Sequence, residues 1–132
     1  GERAGIDNTP PNDEIRLNIL HTATMLEKLR VLLVKPILIT SGYRCSALNK
    51  RVGGASNSAH ISGLAADILA PQFGTPLQVS KAILPHLREW GIDQLIYEYS
   101  WTHIGLAAGA NPRGQVLTLM LNGSYANGIV VR

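Results

Sequence analysis

Apolar positions recur at helical spacing through the first quarter of the chain. Ile15, Ile19, Leu26, Leu29 and Leu33, with Ala23 between, fall on one stripe and predict an amphipathic helix that buries it. Asn12 can cap this helix, Asp13 and Glu14 favour its first turn, and Pro36 stops it. An irregular arm over 1–11, closed by Pro10-Pro11, precedes it. Ile37 to Thr40 reads as a short buried strand, and Ser41-Gly42 turns the chain out of it. Ser46 to Val52 reads as a short helix ended by Gly53-Gly54, followed by a polar loop from Ala55 to Gly63.

Beyond that loop the period shortens to two. Ala65 to Leu69 predicts a strand with Ala65, Asp67 and Leu69 on one face. Thr75-Pro76-Leu77-Gln78 has the form of a capping box with proline at the first helical position, and opens a helix expected to run to Trp90. Strands follow at Gln94 to Glu98, Trp101 to Leu106 and Val116 to Leu121, then an Asn122-Gly123 turn and a last strand near Ile129 to Val131. The expected class is α+β, with helices packed on a small antiparallel sheet.

Composition narrows the reading. The chain of 132 residues suits one domain with its own core, and 45% apolar with 16% charged residues is a globular balance. No apolar run is long enough to span a membrane, and Gly1 to Gly5 lacks the apolar segment of a signal peptide. The net charge of +3 suits an anionic partner such as cell-wall polymer, but the basic residues are scattered and aromatics are 5%, so nucleic acid is not an expected partner. The one cysteine, Cys45, forms no internal disulfide and has no matching histidine pattern for a thiol enzyme. His21 and His86 lie in helical stretches and read as bystanders.

The densest candidate chemistry lies in Ser58-Ala59-His60-Ile61-Ser62-Gly63-Leu64-Ala65-Ala66-Asp67. Gly63 allows a sharp turn between a loop histidine and a strand aspartate, and imidazole and carboxylate are ordinary Zn2+ ligands. His103 is the third candidate ligand; three protein ligands leave a fourth position open, the mark of a catalytic zinc. If Tyr99-Ser100 is a two-residue hairpin loop, then Ile96, Glu98, Trp101 and His103 share a face, and Glu98 is a diagonal neighbour of His103. If the segment is one continuous strand, Glu98 points away. A glutamate beside a zinc-activated water can take its proton and pass it to a leaving amine, and a cation such as Arg44 can stabilise the oxyanion.

These residues carry a resemblance. His60-x-x-Gly63-x-Ala65-x-Asp67, preceded by Ser58 and followed by Trp101-x-His103, together with Ser41-Gly42-Tyr43-Arg44, resembles the zinc peptidases of the D-Ala-D-Ala carboxypeptidase type. That group includes phage L-alanyl-D-glutamate endopeptidases and shares a fold with the Hedgehog signalling domain. The stretch from Ile37 to Asp67 and the segment Gly5 to Pro10 are similar to the phage and prophage branch. The resemblance implies a Hedgehog/DD-peptidase-like domain over 1–132 with zinc at His60, Asp67 and His103. It also implies Arg44 on the substrate carbonyl or oxyanion, Ser58 on a substrate carboxylate, and cleavage of peptidoglycan stem peptides in the bacterial cell wall, as in a phage lysin. Trp101 is a candidate for stacking on substrate, and a monomer is expected. Many members carry an acid three positions before the last histidine; here that residue is Ser100, and Glu98 is the candidate base. The competing reading is a zinc-containing module of the same fold that binds the wall or a partner without turnover.

Overall fold

The computed structural model describes residues 8–52, 58–107, 109 and 111–131. The elements are α1 (Asp13–Leu33), β1 (Leu38–Ser41), α2 (Ser46–Arg51), β2 (Ala65–Leu69), α3 (Pro76–Ile83), a 3₁₀ turn (Leu84–His86), β3 (Ile92–Tyr97), β4 (Thr102–Leu106), β5 (Gln115–Leu119) and β6 (Tyr125–Asn127). The α+β expectation holds. Helices α1 and α3 bury one face of a single six-stranded sheet ordered β1-β2-β4-β3-β5-β6.

The sheet is mixed where an antiparallel one was expected. β5 runs parallel to β3, because the chain leaves β4, passes round the start of β3 and enters the sheet on its far side. β1 also departs from expectation. It is an edge strand, with Leu38 and Ile39 52% and 58% exposed. Its apolar run reflects β-propensity rather than burial. The helix after Thr75 does not reach Trp90 in one piece. The capping box forms, but Pro85 cannot donate an i→i−4 hydrogen bond, and the last turn tightens to 3₁₀. The last strand is Tyr125–Asn127 rather than 129–131, since the turn closed by Met120 and Ser124 sets the pairing from Leu119↔Tyr125 onward. Gly53-Gly54, the first three residues of the Ala55 to Gly63 loop and the first seven residues of the arm lie outside the described residues.

Alternation sorts the sheet into two faces. Ala66, Ile68, Leu95, Ile104 and Leu106 join Met25, Leu26, Leu29 and Leu33 of α1 and Val79 and Ile83 of α3 in the core. Asp67, His103, Gly105, Gln94 and Ile96 lie on the opposite face, away from the core helices α1 and α3. The α1 stripe differs from the predicted one at its centre: Ala23 is exposed and Thr22 is buried in its stead. The Thr22 hydroxyl donates to Gly63 O at 2.7 Å, and Asn18 Nδ2 donates to Ser62 O at 2.9 Å. Two polar side chains of α1 therefore grip the turn that leads into β2.

Gly63 is where this grip is closest. Its φ is +79, and a Cβ there would lie 2.7 Å from Ile19 Cγ1 and 3.2 Å from Ile15 O. Gly91 has a similar φ of +68 with nothing within 4 Å of a Cβ. Gly91→Ala should therefore cost about 1 kcal/mol from backbone strain alone. Gly63→Ala should cost about 2 kcal/mol or more, because α1 must also move. Urea unfolding of the two variants tests this, and equal losses would refute the tight approach of α1 to the turn.

Candidate metal centre

Antiparallel pairing of β2 with β4 makes Asp67 and His103 direct partners, and pairing of β4 with β3 makes Ile96 the partner of His103. Two of the three candidate ligands thus meet because of strand register alone. Asp67 Oδ1 lies 2.8 Å from His103 Nδ1. His60 comes from the turn before β2 and is 3% exposed. Its Nδ1–H donates to Gly42 O at 2.7 Å, which leaves Nε2 as the free ligand atom, 3.4 Å from Asp67 Oδ2. Gly42 follows β1, so the β1–α2 loop fixes the tautomer of a ring that belongs to another segment.

The donor set fits a small tetrahedral ion. One ligand atom from each of His60, Asp67 and His103 lies within 4.8 Å of the others. Ligands about 2.0–2.1 Å from a tetrahedral zinc stand about 3.3 Å apart, on the scale of the 2.8 Å from His103 to Oδ1 and the 3.4 Å from His60 to Oδ2 of Asp67. Burial opposes ionisation of Asp67, but hydrogen bonds from both rings and their charge outweigh it and hold the carboxyl at about 2. The carboxylate is therefore in its ligating form at any pH where imidazole is.

The Tyr99-Ser100 hairpin forms, and Glu98 falls on the metal face. Glu98 N–H donates to Trp101 O at 3.1 Å, and Ser100 N–H donates to Glu98 O at 2.7 Å, closing a tight turn on Tyr99 at φ 63. A tyrosine rarely adopts this region. Here it is held by stacking on Tyr97 with centroids 4.3 Å apart and by its hydroxyl donating to Val130 O. Trp101 Nε1–H donates to Glu98 Oε2 at 2.8 Å. Burial pushes the Glu98 carboxyl above its usual range, Asp67 adds to that rise, and His103 and the Trp101 hydrogen bond oppose it. Trp101 lines the cleft, whereas Trp90 packs in the core against His86.

Arg44 lies beside this centre. Its backbone N–H donates to His60 O at 2.9 Å and its Nη2 reaches Ser58 Oγ at 3.5 Å. The Ser58 hydroxyl accepts from His60 N–H at 3.2 Å, the local turn bond expected of a loop serine, and so helps set the histidine. Asn8 is a residue that the sequence reading passed over. Its side chain donates to Tyr43 O at 3.0 Å and accepts from Cys45 N–H at 2.7 Å, pinning the loop that carries Arg44. Cys45 caps α2 through its sulfur. Two cavities meet at the centre. One of about 810 Å³ runs along the open sheet face past Glu98 and Trp101; the other, of about 620 Å³, lies against β1 and Tyr43. Arg44, Val52 and Asp67 line both.

Residues 1–105 match the family model described as Peptidase M15. The chain belongs to the peptidase M15 family. A 60-residue stretch is 43% identical to the zinc D-Ala-D-Ala carboxypeptidase of Streptomyces albus G, covering 45% of this chain and 24% of that protein. The chain thus matches about a quarter of the length of this curated relative. Among the described residues, no helix is long and apolar enough to cross a membrane.

The ionised Asp67 cluster gives a pH signature. A carboxyl held near 2 in the fold and near 3.8 when unfolded stabilises the protein above about pH 4, and that contribution is lost as the pH falls towards 2. Chelator-treated Asp67→Asn should therefore lose about 2 kcal/mol less stability than the parent between pH 5 and pH 2 (roughly 1.4 kcal/mol per pKa unit). Urea midpoints across that range test this; parallel curves would mean that the histidines do not hold the carboxylate down.

Proposed function

We propose that this family member is a zinc peptidase of the bacterial cell wall, with His60, Asp67 and His103 as ligands and Glu98 as general base, acting on peptidoglycan stem peptides. The observation that carries this reading is the placement of a half-buried, tryptophan-held carboxylate on the same open sheet face as three convergent ligand atoms, in one cleft. Zn2+ at this site would polarise the scissile carbonyl and bring the pKa of the attacking water to about 7. Glu98 takes the proton of that water and returns it to the leaving amine; its raised proton affinity suits both halves of the transfer. Trp101 fixes one Glu98 oxygen and leaves the other for the proton. Arg44, steadied by Asn8 through the loop backbone, holds the carbonyl oxygen as charge develops there, and Ser58 positions both Arg44 and His60.

An internal bond suits this site better than a terminal one. The cavities on the two sides of Asp67 and Arg44 offer room for substrate both before and after the cleaved bond. This favours endopeptidase cleavage over release of a C-terminal residue. Every group in the scheme comes from one chain, so a monomer suffices.

Glu98→Gln should retain one zinc per chain by metal analysis and lose about 10²–10⁴-fold in the release of amino termini from purified peptidoglycan. Wall digestion at the parent rate would remove Glu98 from the mechanism. Zinc and wall binding by the parent with no new amino termini would replace the peptidase reading by that of a binding module. Fragment masses distinguish internal cleavage from loss of a terminal D-amino acid.

A further inference from the structure

The larger cavity does not end at the metal centre. It continues along the sheet to Asp93 and Arg113, a pair that the proposed chemistry leaves unused. A register shift between Ile92 and Gln94 makes Asp93 the extra residue of a β-bulge, and bulges beside active sites re-aim side chains. The Asp93 carboxylate accepts from Arg113 three ways: from the backbone N–H at 2.8 Å, from Nε at 3.1 Å and from Nη2 at 2.8 Å. The arginine is thereby fixed in backbone and side chain although its side chain is 59% exposed. A guanidinium has five N–H donors, and this grip engages Nε–H and one hydrogen of Nη2. Both Nη1 hydrogens and the second Nη2 hydrogen have no hydrogen-bond partner among the described residues, and Arg113 lines the cleft.

Position gives this pair a meaning for substrate. Ile96 is the cross-strand partner of His103, and Asp93 stands three residues earlier on β3. At about 3.3 Å per residue, Asp93, which holds the arginine, stands about 10 Å along β3 from Ile96, the partner of His103. Between them the cleft floor is Gln94 and Gly105, which are paired and carry no charge. A peptide lying along this floor therefore meets a preset cation two to three residues from the cleaved bond.

We propose that Arg113, positioned by Asp93, is a specificity residue that binds a carboxylate of the substrate two to three residues from the scissile bond. The inference rests on the peptidase reading for the direction of the chain, but binding tests it without turnover. The probes are two synthetic stem-type peptides, identical except that one carboxylate at that position is a carboxamide, titrated calorimetrically into the protein with and without zinc. The parent should bind the carboxylate form about ten-fold more tightly, as for one charge-assisted contact. Arg113→Gln should abolish that preference while the affinity for the carboxamide stays the same, and Arg113→Lys should keep part of it. Asp93→Asn, which frees the arginine, should lower the preference and leave kcat unchanged while raising KM for the acidic peptide. If Arg113→Gln keeps the parent's preference, or changes only the thermal midpoint, the pair is a tether for the β4–β5 connection and the proposal is wrong. Intact preference with no hydrolysis of either peptide would instead support Arg113 and sink the peptidase reading.

Discussion

The site depends first on the register of β2 against β4. Asp67 and His103 meet because they are direct cross-strand partners, and they face the open side because their neighbours do not. Ala66, Ile68, Ile104 and Leu106 face the core, so a slip of one residue would bury the ligands and expose the apolar set. The register is pinned at both ends of β4. Leu106 N–H donates to Leu64 O, and the Thr102 hydroxyl meets Ser80 of α3 at 2.9 Å behind the site. The hydrophobic core thus positions two polar side chains that lie on the opposite face of the sheet.

His60 has no strand to place it, and its restraints come from two distant segments and from its own turn. α1 holds the turn through Thr22 and Asn18, the β1–α2 loop accepts the Nδ1 proton at Gly42, and Ser58 accepts the backbone N–H. Each of these partners satisfies a polar group that burial would otherwise penalise. The ring can be 3% exposed and still present Nε2 to the centre because its other nitrogen is already paired. Ligand geometry and fold stability therefore share the same contacts, and Gly63 is the point where the two are most tightly joined.

Much of this was legible in the sequence, for a physical reason. The spacing around Gly63 and strand parity are local properties, so the nearness of His60 to Asp67 could be anticipated, as could the hairpin that turns Glu98 towards His103, whereas His103 joined the set through the family resemblance and meets Asp67 only through the β2–β4 register. What escaped was set at long range. Asn8, Asn18 and Thr22 act by bonding backbone 35 to 44 residues away, and nothing in their own neighbourhoods distinguishes them. The parallel β5 and the exposure of β1 depend on strand order, which period-2 patterning does not encode. The Asp93 bulge escaped for the same reason, since an extra residue in a strand is visible only against its partner.

The hairpin also accounts for the place of the proposed base, five residues before the last histidine rather than three. With Tyr99 and Ser100 forming the loop, Ser100 is exposed and belongs to neither strand face. A carboxylate there would have no strand to aim it. Glu98, on the opposite arm, is aimed by β3 and bonded across the hairpin by Trp101, which sits on the metal face two residues before His103. Indole N–H only donates, so it stabilises the ionised carboxylate without competing for the proton that a general base must carry. The strained φ of Tyr99 is what lets the two arms close in so few residues, and the Tyr97 stack and the bond to Val130 hold it. The C-terminal segment that receives the Tyr99 hydroxyl thereby bears on the orientation of Glu98, although it contributes no ligand to the centre.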